Sequence, residues 1–288
     1  MTDQAQRLRE IINAKKNIKE AKTIAVLSGK GGVGKSNFAL NFALGLSKKG
    51  KRVLLFDLDF GMGNIDVLMG LAPKKTIVHM FKESLFIEDV IEKGPYSLSY
   101  IAAGSGLSEI FEMESGHLEY FLKQLRYISM QYDFIIFDMG AGFNSQHIHF
   151  ALAAHECFIV TTTEPTSVTD AYAVLKHIYY QQSKIPLFLL VNRAMNSKEG
   201  KDIVNRLQTV VQKFLHQELK PLGILPDDRE VIHAVKEQTP FLLNNEKSNA
   251  SKSLVQIIDS YLDDKDKNHE VPNHSFVTKL KMIFTRER

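Results

Sequence analysis

The stretch Gly29-Lys30-Gly31-Gly32-Val33-Gly34-Lys35-Ser36 decides the fold of this 288-residue chain. It fits the phosphate-loop pattern G-x-x-x-x-G-K-[ST], with Gly29, Gly34, Lys35 and Ser36 at the fixed positions and a second lysine, Lys30, early in the loop. The apolar run 23–28 precedes it and the helical pattern 38–46 follows, the strand, loop, helix order that the motif requires. Glycines let backbone N–H groups turn inward around a phosphate chain, and the following helix adds its positive N-terminal end. Residues 29–37, from Gly29 to Asn37, are therefore expected to cradle a nucleoside triphosphate. Lys35 would neutralise the β- and γ-phosphates, and the Ser36 hydroxyl would reach Mg²⁺.

Working outward, β-type apolar runs recur at 52–56, 98–102, 134–138, 157–163, 187–192 and 219–225, with amphipathic helical patterns at 117–130, 168–182 and 198–216 between them. The runs are continuous rather than alternating, as in strands covered on both faces. Repeated β-then-α order predicts a doubly wound, mostly parallel α/β sheet with helices on both faces. Ligands of such sheets sit at the carboxyl ends of the strands.

That rule gathers the acids. The segment Phe56-Asp57-Leu58-Asp59-Phe60-Gly61-Met62-Gly63-Asn64 puts Asp57 and Asp59 at a strand end, where alternation aims both side chains one way. The run 134–138 delivers Asp138 in the manner of a Walker B strand, and Gly140-Ala141-Gly142 is expected to leave N–H groups free for a γ-phosphate.

Composition narrows the function. With 44% apolar residues and a net charge of only +3, the chain reads as a globular protein without an electrostatic case for nucleic acid, which is not expected as a partner. A single cysteine, Cys157, in an apolar run excludes a disulfide framework or an iron–sulfur site within one chain and is expected to be buried filler. His147 and His149 offer no convincing metal spacing and are read as structural or solvent-facing. No leader pattern opens the sequence and no apolar run is long enough to span a bilayer, which gives an expected cytoplasmic location.

Taken together, Lys30, the loop through Ser36, Asp57-x-Asp59 and Asp138-x-Gly140-Ala141-Gly142 resemble the deviant Walker A ATPases of the MinD and ParA family over roughly residues 22–262. The resemblance implies ATP and Mg²⁺ as cofactors and an ATP-dependent homodimer with slow, dimer-dependent hydrolysis. In that family the early lysine reaches the partner's phosphates, so Lys30 would act in trans, as an arginine finger does. Asp59 matches the residue orienting the attacking water, and Asp57 and Asp138 match acids around the magnesium. Asn192 matches an adenine-reading asparagine, with Pro226 and Asp227 lining the base pocket; the guanine-reading N-K-x-D pattern is absent.

The two ends point to one branch. Asp3-Gln4-Ala5-Gln6-Arg7-Leu8-Arg9, on an expected helix within 1–21, resembles the element by which flagellar-number regulators of the FlhG (YlxH) branch stimulate an FlhF-type GTPase. Gln4 would be the activating residue, and the 163–171 segment also resembles that branch. Flagellar basal-body and C-ring components would be further partners. Beyond a polar linker at 263–275, residues 276–288 form an expected amphipathic helix. Phe276, Val277, Leu280, Ile283 and Phe284 fall within about 120° of arc, with Lys279 and Lys281 on the edges. Its roughly 20 Å reach is too short to span a bilayer, so it is expected to lie on anionic lipid at the inner face of the membrane in the ATP state. A MinD-type division-site selector explains this tail well and Asp3–Arg9 badly, a ParA-type DNA partition ATPase, whose dimer binds DNA through surface Lys and Arg, explains the tail poorly, and a non-hydrolysing scaffold would lack turnover altogether.

Overall fold

The computed structural model describes residues 20–59, 63–104, 115–140, 142, 145–181, 185–267 and 275–286. Eight strands form one sheet: β1 (Lys22–Leu27), β2 (Val53–Leu58), β3 (Glu92–Lys93), β4 (Ser99–Ile101), β5 (Phe134–Met139), β6 (Glu156–Thr162), β7 (Leu187–Ala194) and β8 (Leu219–Pro226). Their order is β3-β4-β2-β5-β1-β6-β7-β8, and every pairing is parallel except β3 with β4. Chain order reverses at β1, the central strand that feeds the glycine-rich loop, so the loop lies at the topological switch point. The two-residue edge strand β3 carries no periodic signal that a sequence reading could have found.

The α-helices run as α1 (Lys35–Lys48), α2 (Ile65–Leu68), α3 (Ile77–Lys82), α4 (Ser115–Ser129), α5 (Ser145–Ala153), α6 (Pro165–Tyr180), α7 (Ser197–Leu215), α8 (Arg229–Lys236), α9 (Phe241–Asn244), α10 (Asn249–Lys267) and α11 (Phe276–Arg286). They cover both faces, as the unbroken apolar strands require. One face buries α1 against α10 around Phe38, Phe42, Phe158 and Tyr261, whose rings meet edge-on or tilted at 5.4 to 6.4 Å. This double covering explains why α1 is apolar almost all round: its residues from Phe38 to Leu46 are buried without a break. The opposite face carries α4, α5, α6 and α7 over Phe56, Phe121, Phe137 and Phe150.

Inside the first face lies a charge. Glu156 is buried, its Oε1 taking Lys22 Nζ at 2.7 Å and its Oε2 accepting from the Tyr261 hydroxyl at 2.6 Å. Glu156, at the first position of β6, thereby ties the sheet to α10.

One boundary shifts against expectation. Helix α10 continues through Lys267, so the first part of the segment expected as a linker from 263 is helical. The element expected over 1–21, with Gln4, lies outside the described residues except for its end, where buried Ala21 donates its N–H to Ser129 O at 2.6 Å.

The final helix is present, but its apolar stripe faces protein. Phe276, Val277 and Leu280 are buried in the second face's core, and Phe276 stacks on Phe137 at 4.9 Å between ring centroids. Ile283 and Phe284 pack on the same core, Phe284 meeting the ring of buried His149 edge-on at 4.8 Å. In this conformation the stripe is sheltered, because the groove between α4 and α5 offers the same apolar surface that a bilayer would. Lys279 is partly buried too, which lowers its pKa, whereas Lys281 is exposed and lies 3.7 Å from Glu119.

Candidate functional site

Every strand of the central trio ends at one place. Gly34, at φ 86°, turns the chain from loop to helix in a left-handed conformation that glycine alone adopts freely. Val33 is buried and anchors the loop, leaving Gly31 and Gly32 exposed at its crest. Lys35, only 6% exposed, sends its ammonium to Asp138 Oδ1 at 2.6 Å and to Ser36 Oγ at 3.3 Å. Asp57 is the register neighbour of Asp138 across β2 and β5, so the strand ladder itself sets two carboxylates side by side.

Those carboxylates are not equivalent. Asp57 accepts the N–H groups of Asp59 (3.0 Å to Oδ1), Asn64 (3.0 Å to Oδ2) and Ile65 (3.4 Å to Oδ2), so it staples the loop that follows β2. Burial, with the charge of Asp138 beside it, raises its pKa to about 7 despite these donors. Asp138 Oδ2, by contrast, is buried with no hydrogen-bond partner. An orphaned carboxylate oxygen next to a loop hydroxyl is a site for a hard cation, and the hydroxyl and acids here suit Mg²⁺. Among the described residues no three acids or imidazoles form a cage of their own. That agrees with a cation held by one or two protein groups plus phosphate oxygens. The residues present therefore fit magnesium, with Asp138 and Ser36 better placed than Asp57, whose oxygens serve the backbone.

Lys30 stands apart from this centre. Its side chain is 43% exposed and its ammonium contacts Glu164 Oε2 and Thr166 Oγ1, both at 3.2 Å. Those partners open α6, whose Asp170 also crowds the loop: a Cβ on Gly29 would come within 2.3 Å of the Asp170 carbonyl oxygen. The sequence reading gives the segment 163–171 only as a resemblance to one branch of the family and does not find Glu164, Thr166 and Asp170 as a seat for the loop.

Three expected site groups already have protein partners. Asn192 donates from Nδ2 to Val33 O at 2.8 Å and accepts the Arg193 N–H at 3.0 Å, so it braces the loop instead of facing an open base pocket. Gly34 permits this, since a Cβ there would meet that amide at 2.3 Å. Gly142 gives its N–H to Ser28 O at 3.3 Å, so it is not a free donor for phosphate; Gly140 ends β5 buried, and Ala141 lies outside the described residues. Asn37 accepts from Asn41 Nδ2 at 2.8 Å and points along α1. Pro226 and Asp227 do close the same end of the sheet, where Asp227 N donates to Ala194 O at 2.9 Å. Cys157 is fully buried, as expected, its thiol held far above the usual range and directed at Ala151 O. His149 is buried structure; the side chain of His147 lies outside the described residues.

Comparison with known proteins agrees with this geometry. The ParA family model, described as NUBPL iron-transfer P-loop NTPase, matches residues 19–262. Antiactivator FleN of Pseudomonas aeruginosa is 34% identical over 241 residues, 83% of this chain and 86% of that one. Flagellum site-determining protein YlxH of Helicobacter pylori is 36% identical over 247 residues, 83% of each chain. Among solved structures, septum site-determining protein MinD complexed with Mg-ADP from Pyrococcus horikoshii shares the fold, with a TM-score of 0.69 at 19% identity over 84% of this chain and 96% of that one.

Proposed function

Because the chain belongs to the ParA/MinD family of P-loop NTPases, we propose that it is an ATP-driven dimerising switch that docks on the membrane and regulates the number and placement of flagella. The relatives named antiactivator FleN and flagellum site-determining protein YlxH support the flagellar assignment. The observation that carries the switch is the position of Lys30. A cation that is exposed at the rim and held only by Glu164 and Thr166 is available to a second copy's phosphates.

The chain's own residues divide the work. Lys35 exchanges its pairing with Asp138 for phosphate oxygens when a triphosphate enters, which keeps one buried charge neutralised before and after binding. Magnesium bound there would supply positive charge that offsets the phosphates. Asp138 and Ser36 would hold it, Asp57 would keep the loop after β2 in place, and Asp59 would orient the attacking water. Lys30 from the partner stabilises charge that develops on the phosphates, so hydrolysis depends on dimerisation. Asn192 would release or share its loop contact to read a base against Pro226 and Asp227. The stimulation of an FlhF-type GTPase by Gln4, and the attachment of α11 to anionic lipid, complete the reading.

Light scattering tests the switch. With ATP and the Asp59→Ala variant to block turnover, the mass should double from the 32.6 kDa of one chain, and ADP should leave it single. A single mass with ATP at high protein concentration overturns the proposal.

A further inference from the structure

At the opposite end of the sheet from the phosphate loop lies a cavity of about 510 Å³, within the range of roughly 300–1,000 Å³ typical of small-molecule sites. It is walled by the last turn of α1, the residues entering β2, the β3–β4 turn and the segment before β5. Lys51, Arg52 and Lys93 line it, and no carboxylate does. Neighbouring charges are already matched: Lys48 by Glu246, Lys49 by Asp259 and Arg52 by Asp133 at 3.0 Å. The ammonium of Lys93 instead donates to the hydroxyl of fully buried Ser99 at 2.7 Å, and Ser99 is in turn hydrogen-bonded to Tyr132.

Two further features suggest that this is a built site. The hydroxyl of Ser47, a residue of the cavity wall, is buried without a hydrogen-bond partner. Tyr96 and Ser97 both hold left-handed backbone, at φ 51° and 59°, which non-glycine residues adopt only under constraint. That turn presents the Tyr96 ring at the cavity mouth with Lys48 Nζ 5.5 Å from its centroid.

We infer that this cavity binds a phosphorylated small molecule with a planar ring, a mononucleotide in chemical class, its phosphate taken by Lys51 and Lys93 and its ring stacked on Tyr96. Helix α1 joins the two sites, since its first residue is Lys35 of the phosphate loop and its last turn walls the cavity.

The test is calorimetry on full-length protein whose phosphate loop is first saturated with ADP and Mg²⁺, titrated with GMP and separately with inorganic pyrophosphate. One further site per chain is expected for GMP. The double variant Lys51→Ala/Lys93→Ala, at two exposed positions that leave the core intact, should weaken it about tenfold or more. Tyr96→Ala should weaken GMP while sparing pyrophosphate. Absence of heat with both probes overturns the inference. So does binding that survives the double variant but vanishes in Lys35→Ala, which would return the ligand to the phosphate loop.

Discussion

Lys30→Ala and Asp59→Ala should each abolish ATP turnover, yet mixing them should restore part of it. In this structure Lys30 contributes only an exposed ion pair with Glu164 and a hydroxyl contact with Thr166, worth less than about 1 kcal/mol, so its loss leaves the fold intact. As a charge delivered across a dimer it is worth far more, with turnover falling on the order of 10³-fold, as for an arginine finger. Random exchange makes half of the dimers mixed. Each mixed dimer has one complete site, with Asp59 from the Lys30→Ala copy and Lys30 from the other. Phosphate release should therefore return to about a quarter of the wild-type rate at equal total protein. A lysine serving its own loop gives no recovery at all, because every site would then lack one of the two groups. A mixture no faster than its parents, with dimers present by light scattering, refutes the assignment in trans.

The buried network and the carboxyl pair give stability predictions. Tyr261→Phe removes the hydroxyl donor from buried Glu156 and should cost about 1.5–3 kcal/mol, read as a lower midpoint in urea; a change below about 0.5 kcal/mol would remove that network from the account. Asp57 holds its proton up to about pH 7 when folded against about 3.8 when unfolded, so the folded state carries the extra proton between these values. Nucleotide-free stability should consequently fall by a few kcal/mol as pH rises from 4 to 7. Asp57→Asn should flatten that slope whatever it does to the overall level, and an unchanged slope places the proton elsewhere. Deleting residues 274–288 should abolish ATP-dependent sedimentation with anionic liposomes while phosphate release persists; unchanged sedimentation refutes the anchor. A peptide of residues 1–20 should stimulate an FlhF-type GTPase and lose that effect with Gln4→Ala, and equal stimulation by both clears Gln4 of the role.

The fold was legible because its signals are local. A glycine-rich loop between an apolar strand and an apolar helix, followed by alternating strands and helices, leaves few alternatives, and the acids at strand ends follow from topology. What stayed hidden was partnership across the sheet. Nothing in the sequence says that Asn192 closes on Val33, that Gly142 bonds to Ser28, or that Asp57 spends its oxygens on backbone N–H groups. The pairing of Lys30 with Glu164 and Thr166 spans more than 130 residues and obeys no period. The last helix shows the same limit. Amphipathicity fixes which face is apolar, but a protein groove and a bilayer satisfy that face equally well.

That ambiguity would give the proposed coupling of nucleotide to membrane a physical basis. Phe137 and Asp138 are consecutive on β5, and alternation along a strand sends them to different environments. Phe137 stacks on Phe276 of α11, while Asp138 holds Lys35 of the phosphate loop. Helix α5 begins five residues after Gly140 and carries Ile148, His149 and Phe150, the floor of the groove under α11. A triphosphate that draws Lys35 off Asp138 acts one residue from the ring on which the last helix rests. Displacement of α5 by even a fraction of its 6.3 Å separation between the Phe150 and Phe276 rings opens close-packed contacts, which are lost steeply with distance. Hydrogen exchange of α11 should therefore accelerate on adding ATP with Mg²⁺ to the Asp59→Ala protein and remain slow with ADP. Equal protection in both states would leave the docked helix a permanent part of the core, and the membrane would then need a different surface of the molecule.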